Sequence, residues 1–71
     1  MRMKMKMKTV ESSVRFTVGD MVSWKSRLGN EYVGVVVSIK QSATDDLIIV
    51  RLPNGQHRSF YDNATDYTII E

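Results

Sequence analysis

Apolar and polar residues alternate along this chain with a period of two, and nowhere do apolar positions recur at the spacing of a helix face. Residues 13–18 place Val14, Phe16 and Val18 on one side of a strand, with Ser13, Arg15 and Thr17 on the other, before Gly19-Asp20 breaks the run. Residues 21–25 resume it, Val22 and Trp24 sharing a face, and residues 26–30 form a polar turn containing Gly29 and Asn30. The longest strand is expected over 32–40. There Val33, Val35, Val37 and Ile39 make one apolar face opposite Tyr32, Gly34, Val36, Ser38 and Lys40, with Gly34 marking a bend.

After a polar loop over 41–46, residues 47–52 form an apolar β-branched run of the kind found at the centre of a sheet. Pro53-Asn54-Gly55 is a turn, since proline presets its first corner and Asn or Gly accepts positive φ. Residues 56–61 are then its hairpin partner. Residues 62–66 are too few for a helix and suggest one 3-10 turn, and 67–70 give a short last strand. Five or six short antiparallel strands are too few for a sandwich, and a flat sheet leaves two open edges. Rolling the sheet into one small barrel removes them, so the expected fold is an all-β barrel over residues 13–71 behind an arm of residues 1–12.

The segments "FTVGDMVSW", "EYVGVVVSI", "DLIIVRLPNG" and "FYDNATDYTII" resemble the Tudor and KOW-type SH3-like barrels over roughly residues 16–70. That resemblance implies a Val-Gly-Asp lead-in, a long bent second strand, a hairpin turn and a 3-10 turn before the last strand. It implies less about function, because this superfold hosts many unrelated roles. Tudor domains that read methylated lysine or arginine hold the cation in a cage of about four aromatics. On that likeness Tyr32 stands at one cage position and Trp24 near another, while Arg51 and Asn54 take the remaining two; an arginine there repels a methylated cation. The stretch "GVVVSIKQS…LIIVRL" also looks like the small stromal subunit of photosystem I, a docking protein. "RSFY" at residues 58–61 stands where the type II dihydrofolate reductases carry Val-Gln-Ile-Tyr, with Tyr61 matching and Ser59 in place of the substrate-binding glutamine.

At 71 residues the chain is one domain near the lower limit for a single unstapled core, and with no cysteine it has neither disulfides nor thiolate metal ligands. One histidine, His57, builds no zinc site alone. No cofactor, metal or catalytic residue is expected: Asp45-Asp46, Asp62 and Asp66 fall in loops where aspartate supports turns, and no nucleophile–base pair or phosphate-binding glycine loop is present. Nothing is apolar for long enough to span a membrane, and the opening MRMKMKMK lacks the apolar core of a secretory signal, so a cytoplasmic protein is expected. Asn63-Ala64-Thr65 matches a glycosylation sequon only as a coincidence of turn residues.

The net charge of +2 is unevenly spread: Arg2, Lys4, Lys6 and Lys8 carry +4, leaving six bases against eight acids, or −2, in residues 9–71. The arm has three readings: a strand adding to a sheet edge, a flexible segment along phosphates, or a solvated terminus. On the body, Lys25, Arg27, Arg51 and Arg58 form either a basic patch or ordinary solvated charge. Tyr32 and Tyr61 offer stacking faces beside them, as in single-strand binders, and Trp24 reads as core or barrel lid, with partner contact the alternative. The function expected is therefore a non-enzymatic adaptor docking on a nucleic-acid-associated complex, with the arm contacting nucleic acid. The alternative is a protein-docking or structural accessory subunit of a larger, even viral, assembly in which self-association stays open. A folate-reducing enzyme is a distant third.

Overall fold

The computed structural model describes residues 8–70. Six antiparallel strands form one sheet with no helix among the described residues: β1 (Lys8–Val10), β2 (Met21–Lys25), β3 (Glu31–Gln41), β4 (Leu47–Arg51), β5 (His57–Tyr61) and β6 (Thr68–Ile70). The order across the sheet is β5-β4-β3-β2-β6, with β1 also pairing β3. Eleven residues long, β3 is shared lengthwise. One edge carries β4, while the other carries β2 opposite residues 31–35 and β1 opposite residues 39–41. Among the described residues, Lys8–Val10 already pair with the sheet, within the segment expected as an arm.

Two hairpins use the same device. At each, a glycine with positive φ follows a tight turn: Gly29 (φ 88°) donates its N–H to the Ser26 carbonyl, and Gly55 (φ 91°) donates to that of Leu52. A left-handed residue after a type I turn is the standard way to close a three-residue hairpin without splaying the strands. Pro53 presets the second of these turns.

The core consists of Phe16, Val22, Trp24, Val36, Ile39, Ile48, Val50, Phe60 and Tyr67. For β3 this corrects the expected face. Of Val33, Val35, Val37 and Ile39, only Ile39 is fully buried, while Val35 and Val37 are 39% and 41% exposed. A bulge is the reason: Val36 pairs with Val50 and Ser38 with Ile49, leaving Val37 as an extra residue. The inward set therefore runs Gly34, Val36, then Ile39, changing parity at Val37. A bulge bends its strand, and this one lies at Val37. Gly34 is needed for close approach instead, since a Cβ there would sit 3.2 Å from both the Arg51 carbonyl oxygen and Trp24 Cη2.

Residues 13–18 also depart from expectation. They form no strand, only a bridge between Ser12 and Thr17. Ser13 accepts the Phe16 N–H on its hydroxyl while donating its own N–H to the Phe16 carbonyl, and Asp20 accepts the Thr17 N–H on its carboxylate. These local bonds outcompete a ladder and curl the segment. Phe16 is driven fully inward, while Val14 is left 94% exposed.

The segment returns to the sheet where Gly19 donates to the Val36 carbonyl and Val36 donates to that of Asp20, filling β3's edge between β1 and β2. Residues 62–66 carry a single i→i+3 turn, with the Ala64 N–H on the Tyr61 carbonyl, which is the bond of one 3-10 turn and goes no further into a helix.

No ladder joins the outer strands β5 and β6 among the described residues. Side chains bridge them. Tyr67, just before β6, stacks flat on Phe60 of β5 at 3.7 Å, and Phe16 meets Phe60 edge-on at 5.3 Å. Arg15 donates to the carbonyls of Asp62, Ala64 and Tyr67 at 2.8, 2.5 and 3.1 Å, tying the 13–18 loop to the segment between the two strands.

Candidate functional site

Five of the six aromatic residues run as one row. From the surface inward, Tyr32 stacks on Trp24 (6.1 Å), Trp24 meets Tyr67 (5.3 Å), Tyr67 lies on Phe60 and Phe60 abuts Phe16. Trp24 is buried, in keeping with its parity with Val22, and Tyr32 is half-exposed. The cation position over this row is filled from within the chain. Arg58 donates through Nε to the Tyr67 hydroxyl at 2.7 Å, and its guanidinium lies 5.6 Å from the Trp24 ring centre and 5.9 Å from that of Tyr67. Such placement over ring faces is attractive in itself.

The other bases expected on the body do not gather with Arg58. Lys25 ends β2 opposite Glu31 and lines a cleft of 280 Å³ with Glu31 and Asp66, whose carboxylates offset its charge. Arg27 stands in the β2–β3 turn, exposed. Arg51 ends β4 between Val35 and His57, on the outer face. Lys8 opens β1 opposite Gln41 and is exposed, whereas Arg2, Lys4 and Lys6 lie outside the described residues. Tyr61 points outward at the end of β5, opposite Leu47 and apart from the aromatic row.

What the structure does bring together is an apolar row on the outer face. Register places Ile70, Met21, Val35 and Arg51 directly opposite one another on β6, β2, β3 and β4. Their neighbours Val33, Val37 and Leu52 extend the row into an open groove of 390 Å³, with Arg51 at its rim. The parity change at Val37 hid this groove from sequence reasoning. Its one legible signal is that residues 35–37 are all valine, apolar on both faces where a half-buried strand needs only one.

A second feature lies at the far end of β3. The β3–β4 loop and Asp62 line a pocket of 280 Å³ that holds Asp45, Asp46 and the Asp62 carboxylate. Asp62 is 8% exposed, and its Oδ2 is buried without a hydrogen-bond partner. No family, curated protein or solved structure matches this chain.

Proposed function

We propose that this chain is a non-enzymatic docking module, a small barrel of the SH3-like kind, whose outer sheet face takes an extended segment of a partner protein. The row Ile70–Met21–Val35–Arg51 carries this reading: three half-exposed aliphatic side chains in register across three strands, ending on a guanidinium. Arg51 has Val35 and His57 as its cross-strand neighbours, neither of them an acid, so the complementary ligand is aliphatic and carries a carboxylate. Strand order supports the barrel reading, with Phe16, Tyr67 and Arg15 bridging the outer strands by side-chain contact.

A second reading, contact of the basic segment 1–8 with nucleic acid, is favoured by the +4 it carries against −2 on the rest. The scatter of Lys25, Arg27, Arg51 and Arg58 makes this a property of that segment alone. Chemical-shift mapping on the full chain separates the two readings. Peptides alternating aliphatic and acidic residues should shift Met21, Val35, Val37 and Arg51. Single-stranded oligonucleotides, titrated at two salt concentrations, should shift Lys8 and leave the groove unmoved. Oligonucleotide shifts centred on Arg51, with none from the peptides, would reject the docking reading.

A further inference from the structure

We propose that the pocket formed by the β3–β4 loop and Asp62 is a binding site for a long-chain primary ammonium, as carried by a lysine side chain of a partner protein or by a free aliphatic diamine. This site is separate from the outer-face groove and does not depend on it. Asp62 lines the pocket, is more than nine-tenths buried, and has its Oδ2 enclosed with no hydrogen-bond partner. A buried carboxylate left without a donor is costly, so a cation that brings donors belongs beside it.

The backbone under this carboxylate is held from two directions. The Asp62 N–H donates to the Asp46 carbonyl at 2.9 Å, and the Asp62 carbonyl accepts from Arg15 at 2.8 Å. Asp45 and Asp46 line the same pocket and compound the demand. The donors beside them serve other atoms: the Ser42 hydroxyl donates to the Asp45 carbonyl, and Asn63 donates to Asp45 Oδ2 at 3.3 Å. Arg15 reaches the same segment, yet it donates to the backbone carbonyls of Asp62, Ala64 and Tyr67. Three carboxylates therefore border one pocket, with no base among its lining residues.

The rim decides which cation fits. Val14 also lines the pocket and is 94% exposed, turned outward where the Ser13–Phe16 bonds curl the loop and send the Phe16 ring into the core. Its isopropyl group offers nothing to a hydrated metal ion. It does offer a surface on which an aliphatic stem can lie while the charged end reaches the carboxylates. A lysine side chain has that form, with a flexible four-carbon stem and three rotatable donors on one nitrogen. The acids stand on two separate segments, 45–46 and 62, and three donors can be divided between them, whereas a guanidinium fork matches a single carboxylate.

Charge at longer range agrees with the local chemistry, since residues 9–71 carry −2 and draw a cation in. A ligand with its stem on Val14 and its ammonium among Asp45, Asp46 and Asp62 also ties the 13–18 loop to the β3–β4 loop. Occupancy should therefore raise the melting temperature in proportion to the logarithm of ligand concentration once the site is saturated.

The test is amide chemical-shift mapping of the isotopically labelled full chain at low salt. The probes are N-acetyl-lysine methylamide, cadaverine, and the norleucine methylamide that keeps the stem without the ammonium. Both amines should give saturable shifts in the millimolar range centred on Val14, Ser42, Asp45, Asp46 and Asp62, and the norleucine compound should give none. Tighter binding of cadaverine assigns the site to free diamines; equal or tighter binding of the lysine compound assigns it to a partner's lysine. Asp62→Asn should abolish these shifts. Val14→Lys, at a position open to solvent, puts an ammonium on the rim and should weaken the added amine several-fold. Four results would overturn the proposal: no saturable shifts, equal shifts from the norleucine compound or from matched sodium chloride, unchanged amine binding in Asp62→Asn, and saturation of the same residues by calcium at lower concentration than either amine. Should Asp62→Asn fail to fold, Val14→Lys decides in its place, and unchanged amine binding there overturns the proposal.

Discussion

Replacing Gly34 by alanine tests the packing at the centre of the sheet. The added Cβ would lie 3.2 Å from the Arg51 carbonyl oxygen, 3.2 Å from Trp24 Cη2 and 3.3 Å from Val50 Cβ. None of these can yield easily. The Arg51 oxygen and the Val50 Cβ are fixed to the backbone of β4. Trp24 is held between Tyr32 and Tyr67, with Arg58 over its face. Overpacking of this sort costs about 1–3 kcal/mol. Against it stands the reduced entropy of the unfolded chain, about 0.4–1 kcal/mol in favour of alanine. The clash wins, leaving a net loss near 1.5 kcal/mol, or a fall of about 6–12 °C in melting temperature for a domain of this size. Thermal unfolding followed by circular dichroism measures it. Pairing the change with Trp24→Phe, which removes the Cη2 contact, should give a loss smaller than the sum of the two single changes. A melting temperature for Gly34→Ala equal to or above that of the native chain would refute this account of the sheet centre.

Two further substitutions probe the bulge and the bridging loop. If Val37 is the extra residue, Val37→Ala should change stability by no more than about 0.5 kcal/mol, while Ile39→Ala should cost about 2–5 kcal/mol; equal effects in denaturant titrations would restore the unbulged pairing. Arg15→Met keeps the apolar stem but removes the three donors to the Asp62, Ala64 and Tyr67 carbonyls. Those carbonyls can partly rehydrate, so the loss should be about 1–2 kcal/mol, with faster amide exchange over 62–67 as its local signature. Unchanged exchange there would mean that Arg15 does not hold that segment to the loop.

Strand positions were legible wherever local chemistry decided them. The Met21–Lys25 strand stands where its alternation predicts, and Gly29 and Gly55 take the positive φ that their turns require. Trp24 and Phe60 are inside, and His57 and Tyr61 outside, as parity requires. The fold class, all-β and antiparallel, follows from the same pattern. Reading failed where two local signals competed. In residues 13–18 the alternation is as clean as in 21–25, yet the Ser13 and Asp20 side chains offer the backbone bonds that a ladder would otherwise supply. Along 35–37 both faces are valine, so a shift of one residue costs no burial that the sequence could reveal. The buried acid was beyond reach for another reason. Asp62 has the composition of a turn residue, and only the packing around it shows that its carboxylate is enclosed.

The bulge at Val37 also decides which surface the molecule can offer. Without it, Val33, Val35, Val37 and Ile39 would all be spent on the core, and the outer face would present Tyr32, Gly34, Val36, Ser38 and Lys40, with a glycine at its centre. With it, Gly34 turns inward, where its missing side chain lets Trp24 lie against the sheet, and Val35 and Val37 turn outward beside Met21. The bulge therefore keeps Ile39 in the core while Gly34 admits the largest core ring and two branched aliphatics face the groove that Arg51 borders. Deleting Val37 would leave Val36 opposite Val50, Ser38 opposite Ile49 and Ile39 opposite Ile48 in simple alternation, so the variant should keep the Trp24 environment and the Ile70–Met21–Val35–Arg51 row and lose only the Val37 side of the groove. A deletion variant whose fluorescence showed Trp24 exposed would refute the placement of the bulge at Val37.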